Sequence, residues 1–206
     1  MDFKLYVITN QNIAQGKDNL EVVKEAIIGG ADIIQLREKD MSTRNLVNMG
    51  NELKVITKSA EVPLIVNDRV DIALAIDADG VHLGQDDLPI KEARKMMGND
   101  KIIGISTHSL EQAIEAAAMG ADYIGVGPVF PTQTKPNYNP VGLELVEKVS
   151  QRVEIPFVAI GGIKLDNIHE VIKAGAKRVA VVSGIVGVED IESAARSYYK
   201  NLIKCL

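Results

Sequence analysis

Short runs rich in Val, Ile and Leu recur along the chain, and each is followed by a stretch with helical spacing. The runs Leu5–Thr9, Ile33–Arg37, Leu64–Asn67, Gly80–Leu83, Ile102–Ser106, Tyr123–Val126, Phe157–Ile160 and Arg178–Val182 predict eight strands. They are almost continuously apolar, the pattern of parallel strands covered on both faces. Between them, apolar residues recur at helical intervals: Leu20, Val23 and Ile27; Leu110, Ala113, Ile114 and Ala117; Leu143, Val146 and Val149; Ile168, Val171 and Ile172. Ser109 with Gln112 reads as a capping box for the second of these helices. A last helix, from about Asp190 to the C-terminus, is expected to turn Ile191, Ala194, Ala195, Tyr198 and Leu202 inward. The third unit is the thinnest, with a helix of two turns from about Arg69 to Ile76.

A short motif repeats ahead of every even strand: Gly29-Gly30-Ala31-Asp32, Asp77-Ala78-Asp79-Gly80, Gly120-Ala121-Asp122 and Gly175-Ala176-Lys177. Each is a helix stop that leads directly into a strand. Eight strand–helix units with this repeat point to a single (β/α)8 TIM barrel over residues 1–206. An open sheet of six to eight strands is the competing arrangement.

The chain is 46% apolar and 25% charged, enough for one large core, with no low-complexity segment or linker. A net charge of -5 argues against a general nucleic-acid surface. No apolar run approaches the roughly 20 residues of a membrane span, and the start of the chain does not resemble a signal peptide. The one cysteine, Cys205, has no internal partner. Together these features predict a cytoplasmic protein without membrane or nucleic-acid partners. They are compatible with a homo-oligomer.

In such a barrel, functional groups gather where the strands end. After the second strand, Gln35, Arg37 and Lys39 alternate with Leu36 and Glu38 and are expected on one face. An amide and two cations there suit a diphosphate; ion pairs with Glu38 or Asp40 are the structural alternative. Asn67 and Asp68 follow the third strand, and Asp86 and Asp87 the fourth. Carboxylates at neighbouring strand ends suggest Mg2+, although Asp87 before Leu88-Pro89 also reads as a helix N-cap. Ser106 closes the fifth strand and is a candidate hydrogen-bonding group; His108 reads as an exposed loop or capping residue. The three histidines, His82, His108 and His169, have no zinc-ligand spacing.

The sixth strand runs into Gly127-Pro128 and a polar tip with Thr132, Thr134 and Lys135. The segment from Pro128 to Pro140 is a candidate lid. The seventh and eighth strands lead into Gly161-Gly162 and Val182-Ser183-Gly184, a pairing that suits a phosphate held by backbone N–H groups. The mouth therefore has one cationic anion site and one neutral one, and no nucleophile with an adjacent base. That combination fits a diphosphate leaving group attacked by a phosphate-tailed molecule that already carries a lone pair.

Gln35–Lys39 (QLREK), Val66–Ala75 (VNDRVDIALA), Asp79–Asp87 (DGVHLGQDD), Gly125–Lys135 (GVGPVFPTQTK) and Ala159–Ile163 (AIGGI) together resemble the thiamine-phosphate synthase family. The likeness runs from Leu5 to the last helix, with the motifs in the family's order. It implies a transferase that joins 4-amino-5-hydroxymethyl-2-methylpyrimidine diphosphate to a thiazole phosphate, often in its carboxylated form, and releases pyrophosphate. It further implies that Gln35 and Ser106 contact the pyrimidine, and that Arg37, Lys39, Asn67 and Lys135 hold the diphosphate. Asp68 and Asp87 would bind Mg2+. Thr132, Thr134, Gly162, Val182 and Ser183 would surround the thiazole phosphate. A thiazole tautomerase of the same fold, which needs neither a metal nor a diphosphate site, is the nearest alternative. A phosphate-sugar isomerase and a phosphate sensor without activity are more distant ones.

Overall fold

In a computed structural model, which describes residues 3–132 and 139–204, the predicted strands form one closed, all-parallel barrel in sequence order. The strands are β1 (Leu5–Ile8), β2 (Ile33–Leu36), β3 (Leu64–Asn67), β4 (Gly80–Leu83), β5 (Ile102–Thr107), β6 (Tyr123–Val126), β7 (Phe157–Ile160) and β8 (Val179–Val181). Helices α1 (Asn19–Ile28), α2 (Thr43–Ser59), α3 (Val70–Ala75), α4 (Ile90–Met97), α5 (Leu110–Ala118), α6 (Gly142–Arg152) and α7 (Ile168–Lys173) follow the first seven strands. A short α8 (Ser183–Val186) and a long α9 (Ile191–Lys204) follow the eighth. Because β1 pairs with β8, the sheet has no edge, which excludes the open-sheet alternative.

Two apolar layers account for the near-continuous strand pattern. Outward-facing residues such as Leu5, Val7, Ile34, Leu64 and Val81 pack beneath the helices. Inward-facing Phe3, Tyr6, Ile8, Ile33, Ile65, Tyr123, Val158 and Ala180 fill the barrel. The barrel's lower end is closed by Phe3, whose ring lies edge-on to Tyr6 and Tyr123 at 6.2 Å and faces the Arg178 guanidinium at 5.3 Å.

The repeat has a physical meaning. Asp32, just before β2, accepts hydrogen bonds from the backbone N–H groups of Lys4 and Leu5 at the base of β1. Asp79 accepts from Leu64 at the start of β3 and also takes the Lys54 ammonium at 2.7 Å. Asp122 accepts from Ile103 in β5 and from Arg94. Each carboxylate thus ties an odd strand to the even strand that follows it. Lys177 stands at the corresponding place before β8.

The buried helix stripes differ from expectation by one or two positions. Helix α1 buries Asn19, Val22, Val23 and Ala26, while Leu20 and Ile27 are half-buried. In α5, Ala113 and Ala116 face the barrel and Ile114 is exposed. In α6 it is Leu145, not Leu143, that joins Val146 and Val149, and in α7 Ile168 and Val171 are buried without Ile172. In α1 and α5 the small residues Ala26, Ala113 and Ala116 let the helix approach the strands closely; in α6 and α7 the buried and unburied residues are the same size, so position around the helix decides. Ser109 caps α5 as expected, accepting from Gln112 N–H, but Gln112 reaches back to the N–H of His108 rather than that of Ser109. The last helix buries Ile191, Ala195, Tyr198 and Leu202, with Ala194 at its margin.

Candidate active site

A cavity opens at the C-terminal ends of the strands. Its walls include Gln35, Arg37, Asn67 and Ser106 on one side, and Thr132, Gly162, Val182 and Ser183 on the other. These are eight of the residues the sequence had singled out, contributed by six strand ends.

The β2 end is held from beneath. Thr9, fully buried, accepts the backbone N–H of Arg37, and its own N–H donates to the Gln35 carbonyl. Arg37 therefore continues the inward alternation begun by Gln35. Lys39, two residues beyond that hydrogen bond, is not among the lining residues; its ammonium lies 4.0 Å from the Asp68 carboxylate. The suggested ion pairs with Glu38 and Asp40 do not account for the two cations. Glu38 accepts from the Gln11 backbone and from the Asn19 side chain, and Asp40 accepts from Asn12.

Asp68 follows β3 with φ of 62°, in the left-handed region. Burial pushes its carboxyl pKa up, and the neighbouring Asp87 carboxylate pushes it further; Lys39 opposes both. Asp87 is not the cap of α4, a position taken by Pro89. It folds back instead to accept the N–H of Gly84 at 2.6 Å. Asp86 is exposed. Two carboxylates that destabilise each other as anions suit a hard cation. No cluster of three or more His, Cys, Asp or Glu side chains with metal-binding geometry occurs among the described residues. A two-carboxylate set fits an ion that takes its other oxygens from substrate and water.

The opposite wall is built from loops locked together. Val129 and Phe130, after β6, donate backbone hydrogen bonds to Ile160 and Gly161 at 2.8 and 3.0 Å. Gly161 and Gly162 have φ of 99° and 65°, and a Cβ at either would run into Pro128 or Pro131. Only glycine meets both demands there. Val182 and Ser183 lie at the N-terminal end of α8, where N–H groups lack helical acceptors. Lys164 adds a cation to this wall that the sequence reading did not include. Thr134, Lys135 and the tip of the proposed lid lie outside the described residues.

His108 is half-buried rather than exposed. It donates from Nδ1 to the Gly127 carbonyl and so anchors the β6 loop, while His169 is exposed on α7. The floor of the cavity holds three further residues to which no role was assigned: Tyr6, His82 and Tyr123. Their only sequence signal is a polar side chain inside an otherwise apolar strand.

A sequence profile described as thiamine monophosphate synthase matches residues 5–185. The chain is 50% identical to a thiamine-phosphate synthase of Halalkalibacterium halodurans over 198 residues, 96% of this chain and 94% of that protein. It is also 50% identical to a thiamine-phosphate synthase of Chloroflexus aurantiacus, covering 95% of this chain and 91% of that one. Among solved structures, a thiamine phosphate pyrophosphorylase from Pyrococcus furiosus superposes with a TM-score of 0.91 at 44% identity, covering 99% and 97% of the two chains. A 3-hexulose-6-phosphate synthase, at a TM-score of 0.65 and 21% identity, shares the fold.

Proposed function

The chain belongs to the thiamine monophosphate synthase family, transferases of thiamine biosynthesis, and we propose that its cavity joins a pyrimidine diphosphate to a thiazole phosphate with release of pyrophosphate. The observation that carries this reading is the division of the mouth. Arg37 and Asn67 line one end, with Asp68 next to Asn67 in the chain and grouped with Asp87 and Lys39, and the Gly161-Gly162 and Val182–Gly184 loops line the other. A tautomerase acting on the thiazole phosphate alone has no use for the first end.

The 4-amino group makes the pyrimidine ring electron-rich, so its methylene can ionise as the diphosphate departs. Arg37 and Lys39, with Asn67 beside them, meet the charge that builds on the leaving oxygens, and Lys135 is assigned to the same task. Asp68 and Asp87 are the residues that would hold Mg2+, which when bound supplies charge neutralisation for the departing pyrophosphate. Gln35 and Ser106 position the pyrimidine. Thr132, Thr134, Gly162, Val182 and Ser183 hold the thiazole phosphate so that its ring nitrogen meets the methylene carbon. That nitrogen carries its own lone pair, so no general base is needed. Holding both substrates together makes the attack effectively intramolecular.

The test is pyrophosphate release from the pyrimidine diphosphate, with and without thiazole phosphate and Mg2+. Release that requires all three is expected. Arg37→Ala and Asp68→Ala should abolish it with little change in Tm. Isomerisation of the thiazole phosphate alone would favour the tautomerase, and a large loss of Tm with normal specific activity would make the two residues structural.

A further inference from the structure

Five side chains on five different strands form one continuous hydrogen-bonded chain across the cavity floor. Gln35 Nε2 donates to Tyr6 Oη at 2.8 Å, and Tyr6 Oη meets Tyr123 Oη at 2.9 Å. Tyr123 Oη meets His82 Nδ1 at 2.9 Å, and His82 Nε2 meets Ser106 Oγ at 3.0 Å. The ends of this chain, Gln35 and Ser106, are the two groups assigned to the pyrimidine ring. We propose that Tyr6, Tyr123 and His82 are positioning residues that lock those two ends into opposite roles, one a donor and the other an acceptor toward the ring. The inference rests on the proposed pyrimidine site and goes beyond it to ring specificity.

Counting protons gives the direction. An amide nitrogen only donates, so Tyr6 accepts from Gln35 and gives its single proton to Tyr123. Tyr123 then gives its proton to His82 Nδ1. In the neutral imidazole the remaining N–H is on Nε2 and is donated to Ser106 Oγ. Ser106 keeps its own proton for the cavity, and Gln35 keeps its carbonyl Oε1. An imidazolium would donate from both nitrogens and leave one phenol proton without an acceptor in the chain. Burial raises the pKa of both phenols, which keeps those protons in place. Water is shut out of the Gln35–Tyr6–Tyr123 part of the sequence, since Gln35 and Tyr6 are each 2% exposed and Tyr123 is fully buried; His82 and Ser106 are half-buried at the cavity. The Tyr123 ring fits only because residue 104 is glycine: a Cβ there would come within 2.1 Å of the ring.

A 4-aminopyrimidine matches these ends. Its amino group donates toward Gln35 Oε1, and the ring nitrogen across from it accepts from Ser106. Turning the Gln35 amide over would reverse every bond and exchange the two roles. It would still leave one donor and one acceptor. A 4-oxo ring in its N3–H form instead presents two acceptors, the oxygen and N1, and an intact chain cannot offer two donors. Cutting the chain in the middle frees each end to adapt separately.

The experiment compares the KM of the 4-amino pyrimidine diphosphate with the inhibition constant of the 4-oxo-2-methyl-5-hydroxymethylpyrimidine diphosphate. The proteins are the native chain, Tyr123→Phe and Tyr6→Phe, with the KM for thiazole phosphate as an internal control. The native chain should favour the amino ring by on the order of 100-fold, because the oxo ring leaves polar groups unpaired. Both variants should narrow that ratio at least about tenfold, mainly through tighter binding of the oxo ring. The control should stay unchanged. A ratio equal to the native one, whether both rings weaken together or neither does, would mean that the phenols serve only structure. If Tyr123→Phe fails to fold by circular dichroism, Tyr6→Phe cuts the chain at a different bond and decides the matter. If the native chain releases no pyrophosphate from the amino diphosphate, the functional reading falls and takes this inference with it.

Discussion

Asp68 is held at two local costs, a left-handed backbone and a carboxyl whose pKa is pushed up by burial and by Asp87. The sign of the second cost can be worked out. Folded Asp68 binds a proton more tightly than the unfolded residue does, so the native protein loses stability as pH rises through the carboxylate range. Asparagine accepts the left-handed conformation and carries no charge. In chelator-treated buffer, Asp68→Asn should therefore be more stable than the native protein at neutral pH, and acidification should shrink the difference. Thermal melts from pH 3 to 8 would check this, and parallel curves for the two proteins would count against it. Arg37 and Asp68 were legible in the sequence because they follow strand ends, where a barrel gathers its chemistry. Tyr6, His82 and Tyr123 were not. Each is one polar residue inside a buried run, and Tyr6 and Tyr123 meet across 117 positions of sequence. Lys39 lies beyond β2 and beyond the Thr9 hydrogen bond that keeps Arg37 in line, so strand alternation alone does not place its side chain.

Strands and the helices around them were legible to different degrees. Strand boundaries lie within one residue of the expected ones, because three to six mostly apolar residues between turn signals leave little freedom. Helix faces were less legible. An apolar residue at either edge of a helix stripe suits the pattern equally well, and only packing against the strands selects Ala26 over Ile27 in α1. The repeated Gly-Ala-Asp reads as a helix stop, but what its acid does depends on a contact with the preceding strand. Replacing Asp32 by Ala removes the acceptor for the Lys4 and Leu5 N–H groups. That should cost about 1–3 kcal/mol. Urea unfolding should report the loss while pyrophosphate release by the folded fraction stays normal. A fall in kcat with unchanged stability would place Asp32 in the catalytic machinery instead.

At the scale of the molecule the two ends of the barrel use the same residue type in opposite ways. At the base, Asp32, Asp79 and Asp122 are satisfied by backbone N–H groups, and the latter two by a cation as well. At the mouth, Asp68 faces another carboxylate and a lysine at 4.0 Å. The closed ring of eight strands joins these ends, so the stability of the base supports the strained mouth.

The base ties are also unevenly spread. They link β1 to β2, β3 to β4 and β5 to β6, but the residue at the corresponding place before β8 is Lys177, which has no carboxylate to accept from a strand N–H. That pair has two residues in register, Ala159↔Val179 and Ile160↔Ala180, whereas β4 and β5 have four. A ring with one weaker seam breathes there first. Deuterium should enter the β7 and β8 amides of the native protein sooner than those of β3 to β6, as mass spectrometry of peptic fragments would reveal; even protection around the ring would rule out such a seam. The seam runs up to Gly161-Gly162 and Ser183, so the loops proposed to grip the nucleophile's phosphate stand on the two strands best able to part.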